Sequence, residues 1–261
     1  MGTSTSRPAE SPGRVWPFTV LAVLAVAGLT LAASRSPLFR MRSLEVTGHS
    51  HLSREEVVRA GGLSPDTNVL WMSPGEVEAR LESNPWIQGA SVTRELPGRV
   101  TVHVRERSAV AAIRLAASSW AIVAVDGTAL ERTGADPRLP GLVIGTARGV
   151  LRGGRAPRAM MPLIQAVDSM SDWLRARVRG VALTTDGSIE VRMRGGAVAT
   201  YGPPAELRTK AGSLESVLRW AAMDGTRLAS IDLRAPRVPT ALPLSDANFH
   251  SPDGSGTSDS R

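Results

Sequence analysis

The chain has 261 residues, of which 42% are hydrophobic and 4% aromatic, and it contains no cysteine. This hydrophobic fraction suffices for a folded core, so wholesale disorder is excluded. The lack of cysteine excludes a disulfide scaffold, thiol catalysis and cysteine-held metal sites. The formal net charge is +7, from 31 Lys and Arg against 24 Asp and Glu. Because the arginines are scattered beside acidic residues and no basic stripe alternates with aromatic residues, no nucleic-acid partner is expected.

An uncharged apolar segment, 15–33, follows a short polar N-terminus at 1–14. A helix of that length spans about 28 Å, close to the hydrocarbon thickness of a bilayer. The segment therefore predicts a single transmembrane helix. A cleaved signal peptide is the alternative, but its apolar region is shorter, about 7–15 residues, and the small-x-small site Ala25–Ala27 lies inside the apolar run.

The orientation of this helix does not follow from charge, because arginines lie on both sides of it. A short tail is easily retained inside, and large domains translocate largely regardless of charge. We therefore expect a cytoplasmic tail at 1–14 and an extracytoplasmic ectodomain, which is a single-pass type II arrangement in the cytoplasmic membrane.

The next segment, 34–107, has the pattern of a small β-α-α-β-β domain. Two capping boxes, which begin at Ser53 and Ser73, each predict a short helix. Alternation of Val100, Val102 and Val104 with polar residues predicts a half-buried strand. Two helices cover only one face of a three-stranded sheet, so the other face and an edge stay open for binding. The predicted strands are Arg42–Gly48, Ile87–Leu96 and Arg99–Arg107.

A second module, 108–240, is predicted to be a β-rich domain with two flanking helices, which makes the fold class α+β. A helical stripe runs from Leu163 to Leu174, and another runs from Leu207 to Ala221. The final segment, 241–261, is rich in Ser, Gly and Asp and is expected to be disordered. The predicted strands are Ala109–Leu115, Trp120–Val125, Val181–Thr184, Ser188–Arg194, Ala197–Tyr201 and Ser230–Arg234.

No sequence motif supports catalysis. A nucleophile elbow, a Walker loop and a zinc-protease helix are all missing from the sequence. His49 and His51 resemble a pair of metal ligands but have no third partner, so solvated loop histidines are the preferred interpretation. Asp168 and Asp172 share a predicted helix face. Solvation of that face explains the two carboxylates as well as acid–base catalysis does. We therefore predict no catalytic residue, no metal and no cofactor, and no small-molecule substrate.

Five tryptophans lie in or beside apolar periodic segments. For each of them we predict a core position rather than a ligand-stacking role. They are Trp71, Trp86, Trp120, Trp173 and Trp220.

Several stretches of the chain resemble the FtsQ/DivIB family of bacterial cell-division proteins, including the POTRA domain that follows their membrane anchor. The most specific stretch is LESNPWIQGASVTRELPGRVTVHVRER at Leu81–Arg107, and a second is LEVTGHSHLSREEV at Leu44–Val57. In the second module, TDGSIEVRMRGG followed by YG at Thr185–Gly202 and SIDLRAPRVP at Ser230–Pro239 also match. The similarity covers the chain from the apolar segment to about Pro239.

This resemblance implies a non-enzymatic, bitopic scaffold of the bacterial division complex, concentrated at the septum. It implies that the protein recruits FtsB/DivIC-like and FtsL-like single-pass partners. In the family a partner docks beside the last strand of the β domain by strand addition, which completes unpaired edge groups. The family's Asp-Leu-Arg run matches Asp232, Leu233 and Arg234, so the candidate partner-binding edge strand is Ile231–Arg234. Here Arg234 is expected to pair with a partner carboxylate, while Ile231 and Leu233 pack the sheet.

Two alternatives belong to other functional classes. A membrane-anchored cell-wall-binding or cell-wall-processing ectodomain requires an exposed tryptophan platform or a catalytic pair in a cleft. A POTRA-bearing protein-export component requires a downstream membrane barrel, for which the second module has too few strands.

Overall fold

The computed structural model describes residues 16–135, 138–144, 151 and 153–244. The fold is mixed α+β, as predicted, and it divides between Glu106 and Arg107 into a first and a second compact unit. The predicted N-terminal tail, 1–14, lies outside the described residues.

The apolar segment forms a helix, α1, at Trp16–Ser34. Its side chains are described from Thr19 onward, and the large apolar ones among them are exposed. Within the described residues, no helix is long and apolar enough to cross a membrane.

The first unit contains the predicted β-α-α-β-β order, with its sheet in the strand order β1-β3-β2. Strand β3 lies in the centre, parallel to β1 and antiparallel to β2. Val100, Val102 and Val104 are buried under the two helices, which confirms the predicted alternation. The elements are β1 (Ser43–Thr47), α2 (Arg54–Gly61), α3 (Pro74–Glu82), β2 (Ile87–Glu95) and β3 (Arg99–Glu106).

Side chains occupy part of both edges of this sheet. On the β2 edge, Glu78 accepts a hydrogen bond from the Val92 N–H at 2.8 Å, and Glu82 accepts one from Ala90 at 3.2 Å. On the β1 edge, the Arg54 guanidinium donates to the Leu44 carbonyl at 3.0 Å. Since these backbone groups already have partners, neither edge is wholly open to another strand.

The carboxylate of Glu106 closes the loop between β1 and α2. One oxygen, Oε2, accepts from the N–H groups of Ser50 and His51, and Oε1 accepts from Leu52 at 2.9 Å. Burial alone raises the pKa of this carboxyl, but the bonds from His51, Leu52 and Ser50 favour the ionised form and hold the pKa below its usual value. A residue at the end of β3 therefore fixes a loop more than fifty positions earlier in the chain.

The second unit contains one nine-stranded sheet in the order β12-β11-β10-β9-β8-β7-β4-β5-β6. Three helices contribute buried side chains to a single core cluster on one face. The sequence did not predict strands β6, β7 and β12, each of which has four or five residues. The strands are β4 (Ala109–Ala116), β5 (Ser119–Ala124), β6 (Ala129–Thr133), β7 (Gly141–Ile144), β8 (Val178–Leu183), β9 (Ile189–Met193), β10 (Val198–Gly202), β11 (Leu228–Asp232) and β12 (Thr240–Pro243). The helices are α4 (Met161–Asp168), α5 (Asp172–Arg175) and α6 (Leu207–Asp224).

The first predicted helix of this unit is in fact two. Helix α4 ends at Asp168, and Ser171 then caps α5 by accepting a bond from the Leu174 N–H at 3.2 Å. Because a new helix starts at Asp172, Asp168 and Asp172 do not share one helix face, and the predicted common face is wrong. Of the predicted disordered segment, 241–261, residues 241–243 belong to β12, and residues 245–261 lie outside the described residues.

We predict that Glu106→Gln loosens the loop at Ser50–Leu52. The Gln amide places donors against backbone donors, so the loop should lose about 1–2 kcal/mol of local stability, roughly a five- to thirtyfold change in its opening constant. Amide hydrogen exchange at these residues measures the change, with Glu45→Gln, an exposed glutamate on β1, as the matched control.

The same contact should depend on pH. Since folding lowers the Glu106 pKa, its contribution is complete above the unfolded pKa and is lost as the pH falls through the folded value. Protection of these amides, corrected for intrinsic exchange, should fall with acid in the wild type more than in Glu106→Gln. An equal loss in both proteins would contradict the prediction.

Candidate partner-binding site

The predicted edge strand at Ile231–Arg234 is not at an edge. Strand β11 pairs in parallel with β10 on one side and antiparallel with β12 on the other. Ile231 and Leu233 are buried, and the Leu233 N–H donates to the Thr200 carbonyl at 2.8 Å. The edge prediction is therefore wrong, because a later strand covers β11. The core role expected of Ile231 and Leu233 agrees with their burial.

Asp232 and Arg234 lie beside each other at the end of β11. The Arg234 guanidinium donates to both carboxylate oxygens of Asp232, with the shortest contact at 2.6 Å. These bonds lower the pKa of the Asp232 carboxyl and raise that of Arg234. Arg234 also packs on Gly202, where an added Cβ would lie 2.9 Å from its Cγ. Arg234 is thus already paired within the chain, which differs from its predicted role as a partner for a foreign carboxylate.

Strand β12 is the edge of the sheet. Its pairing to β11 places Ala241 opposite Ile231 on the helix-covered face, and Leu242 opposite Ser230 on the other face. The Leu242 side chain is 60% exposed. Within the described residues, no side chain hydrogen-bonds to the backbone of β12. Among the described residues, nothing therefore blocks its outer side from pairing with a further strand.

Prolines limit the length of this edge. Pro239 precedes β12 and Pro243 is its last residue, and neither has an N–H to donate. Only Thr240, Ala241 and Leu242 therefore carry an N–H within the strand. A short edge ended by prolines binds a short strand and resists indefinite sheet growth.

The connection from β11 to β12 is fixed to helix α6. Ser213 Oγ donates to the Pro236 carbonyl at 2.6 Å, and Pro236 is buried. After β12, the Leu244 N–H donates to the Arg227 carbonyl at 2.6 Å. Both ends of β12 are therefore held, and the edge is preformed rather than a loose terminus.

Two buried polar side chains support the strands and helix behind this edge. Lys210, at the start of α6, donates through Nζ to the Pro203 carbonyl at 2.9 Å, and burial lowers its pKa. Tyr201 in β10 is fully buried, and burial raises the pKa of its phenol. Both side chains lie within the packed unit, which indicates a structural role.

The opposite edge, β6, is less suited to strand addition. The Ala129 N–H at its start already donates to the Gly154 carbonyl at 2.8 Å. Glu131 and Arg132 are exposed along the strand, and charges on an edge disfavour pairing with another chain.

Some of the histidines and tryptophans occupy settings that differ from those predicted. His51 stacks on Trp86 with ring centroids 3.5 Å apart. The guanidinium groups of Arg177 and Arg219 both lie over the Trp173 ring, with Cζ 3.7 and 4.4 Å from its centroid. The core prediction is wrong for two tryptophans, because Trp71 is 62% exposed and Trp220 is 53% exposed. Among the described residues, no three His, Asp or Glu side chains lie close enough together to hold a metal ion.

Comparison with known proteins supports the first unit's architecture independently. The family model "POTRA domain, FtsQ-type" matches residues 39–107. The chain is 31% identical over 109 residues to "Cell division protein FtsQ" of Bradyrhizobium diazoefficiens, covering 42% of this chain and 32% of that protein. It is 25% identical over 88 residues to "Cell division protein DivIB" of Clostridium tetani, covering 34% and 33%.

A longer match extends into the second unit. The chain is 25% identical over 206 residues to "Cell division protein FtsQ" of Caulobacter vibrioides, covering 78% of this chain and 65% of that protein. This alignment is longer than either unit, so it includes parts of both. By contrast, the chain spans about a third of the length of the Bradyrhizobium and Clostridium relatives.

A β-α-α-β-β unit that matches the POTRA model, followed by a β-rich unit, defines a protein of the POTRA-bearing class. The matches to proteins named FtsQ and DivIB narrow this class further. The chain is similar to the FtsQ/DivIB family of cell-division proteins.

We predict that β11 and β12 respond differently to truncation. Leu233→Ala removes a fully buried side chain and should lower the free energy of unfolding of the second unit by about 2–4 kcal/mol. Leu242→Ala removes an exposed side chain and should change it by about 0.5 kcal/mol or less. Scanning calorimetry of the full-length variants measures both, and a large loss for Leu242→Ala would show that β12 is a core strand.

Proposed function

We propose that the protein is a non-catalytic, bitopic scaffold of the bacterial division complex, whose second unit recruits a single-pass partner by strand addition at β12. Its similarity to proteins named FtsQ and DivIB supports a division-related role. The observation that carries the proposed mechanism is the outer side of β12, whose backbone makes no hydrogen bond to a described side chain. An FtsB/DivIC-like protein is the proposed strand donor, and an FtsL-like protein is the proposed companion.

Backbone groups at β12 suit this role because their pairing needs only an extended partner segment. Leu242 and Leu244 offer exposed apolar contacts at the edge. Asp232 and Arg234 flank its start as a mutually paired group. Ile231 and Leu233 contribute from the core by holding β11, on which β12 is built.

Charge near the edge favours an acidic partner. Arg237 precedes β12, and Arg227 lies beside its end. Both are exposed, and neither forms a salt bridge within the described residues. A partner strand flanked by carboxylates would therefore meet uncompensated positive charge at each end, which adds steering and register to the backbone pairing.

The bitopic part of the proposal rests on α1. The described residues include no helix that is long and apolar enough to cross a membrane, so the support for this part is the uncharged sequence of α1, whose 19 residues would span about 28 Å as a helix. We propose that it crosses the cytoplasmic membrane, with the N-terminus in the cytoplasm, and that the protein concentrates at the septum. A fluorescent fusion that is spread evenly over the membrane during division would contradict the septal location.

Removing β12 should abolish partner binding without dissolving the fold. The decisive variants are truncation after Pro239 and Leu242→Lys in the full chain. Truncation removes the edge, while the lysine introduces a charge that opposes burial against a second strand. We expect both to lose co-purification with the FtsB/DivIC-like partner while retaining membrane insertion.

The matched control is Glu131→Lys on β6, the other edge of the same sheet. It also adds positive charge to an exposed edge position, and it should leave partner recovery unchanged. Normal recovery with both β12 variants, or an equal loss with Glu131→Lys, would refute docking at β12.

One observation favours the cell-wall alternative. Trp71 and Trp220 are exposed, as a carbohydrate-stacking site requires. They belong to different units, however, and each stands in its own unit without a second exposed tryptophan among the described residues. Binding of the purified protein to isolated cell-wall sacculi tests the alternative. Retention lost in both Trp71→Ala and Trp220→Ala would support it, whereas equal retention of wild type and both variants would reject tryptophan-mediated wall binding.

A further inference from the structure

We infer that the end of the first unit from which α1 emerges binds an anionic lipid surface through Leu38, Trp71 and Leu96. These three residues define the helix-proximal end. The inference rests on the proposed membrane span of α1, and it adds to that proposal a second, peripheral contact with the bilayer.

The sheet topology places an end of each of the three strands at the helix-proximal end. Strands β1 and β3 run parallel and both begin here, while the antiparallel β2 finishes here. The turn between β2 and β3 joins the chain that leaves α1, because the Gly98 carbonyl accepts from the N–H groups of Arg42 and Ser43 at 2.8 and 3.2 Å. Leu96, in the same turn, therefore lies close to the end of the linker that follows α1.

The linker after α1 is docked rather than loose. The Val69 N–H donates to the Phe39 carbonyl at 2.8 Å, and the Met41 N–H donates to Thr67 at 3.0 Å. These two bonds hold the linker against the loop before α3. Leu38 lies inside this linker, in a single turn of 3-10 helix.

One amide side chain connects the end of α1 to Trp71. Asn68 Nδ2 donates to the Ser34 carbonyl, at the last residue of the helix, at 2.9 Å. Its Oδ1 accepts from the N–H groups of Leu70 and Trp71 at 3.0 and 3.3 Å. The Trp71 backbone is thus one side chain away from the helix end. Each polar headgroup layer is about 5–8 Å deep, so a residue at this position reaches it.

A second side chain keeps the Trp71 loop in place. The Arg94 guanidinium nitrogen Nη1 donates to the carbonyls of Val69, Leu70 and Met72 at 3.1, 2.7 and 2.7 Å. With both its N–H groups and its carbonyls engaged, the loop presents the Trp71 side chain outward on a rigid base. The hydrogen bonds of the loop therefore fix the exposure of the Trp71 side chain.

Apolar exposure and charge together point to a bilayer. Leu38, Trp71 and Leu96 are 59%, 62% and 56% exposed, and tryptophan favours the membrane–water interface. Arg35 and Arg42 are exposed and form no salt bridge within the described residues. Nearby carboxylates at Asp66 and Glu95 are paired with Arg40 and Arg99. Apolar side chains next to uncompensated arginines suit anionic headgroups.

The chain contains no cysteine, so a single nitroxide label can be placed at will. Full-length protein carrying Trp71→Cys or Leu96→Cys is reconstituted in vesicles that contain phosphatidylglycerol. Arg105→Cys, exposed at the opposite end of β3, is the matched control, and Leu24→Cys reports on α1 itself. Power-saturation spectroscopy then measures the accessibility of each label to oxygen and to a water-soluble nickel complex.

We expect labels at 71 and 96 to be several-fold less accessible to nickel than the label at 105, and this protection to weaken in pure phosphatidylcholine. Nickel accessibility at 71 and 96 equal to that at 105, with the label at 24 immersed in lipid, overturns the inference and leaves the anchor intact. A label at 24 that remains accessible to water overturns the anchor and the inference together.

Discussion

Unpaired backbone groups at the edges of two open sheets are the constraint on which the rest of this structure depends. An open sheet always ends in two rows of exposed donors and acceptors. In the first unit, Glu78, Glu82 and Arg54 satisfy some of those groups with side chains. In the second unit, β6 carries charges, while β12 is short and ends in proline. The edges differ in how they are protected, and in the described part of the chain no side chain bonds to the backbone of β12.

The preformed geometry of β12 depends on residues that never reach the surface. Leu233 lies in the core and its N–H is bonded to β10, so the chain leaves β11 in a defined direction. Ser213 then holds the connection through Pro236. A partner strand would therefore lose little free energy in ordering the edge, because folding has already ordered it.

Local patterns predicted the first unit well, and tertiary contacts explain what they missed. The capping box at Ser53 and the alternation of Val100, Val102 and Val104 both act within a few residues, so they are legible in sequence. Strand β12 has four residues, follows Pro239 and ends in Pro243, which leaves no periodic signal. Its antiparallel pairing with β11, from Asp232 opposite Thr240 to Leu228 opposite Pro243, is what makes it a strand. The exposure of Trp71 likewise depends on Asn68 and Arg94, which share no local pattern with it.

By itself, the sequence determined the α+β class, the β-α-α-β-β order of the first unit, the apolar helix and the resemblance to a family. Each of these depends on neighbouring residues or on motif spacing, and both can be read from the linear sequence. Only the tertiary structure decided which strand lies at the edge, that Arg234 is paired with Asp232, and that Trp71 stands beside the end of α1. A strand lies at an edge when no other strand pairs with its outer side. Whether that is so is decided only when the whole sheet has assembled.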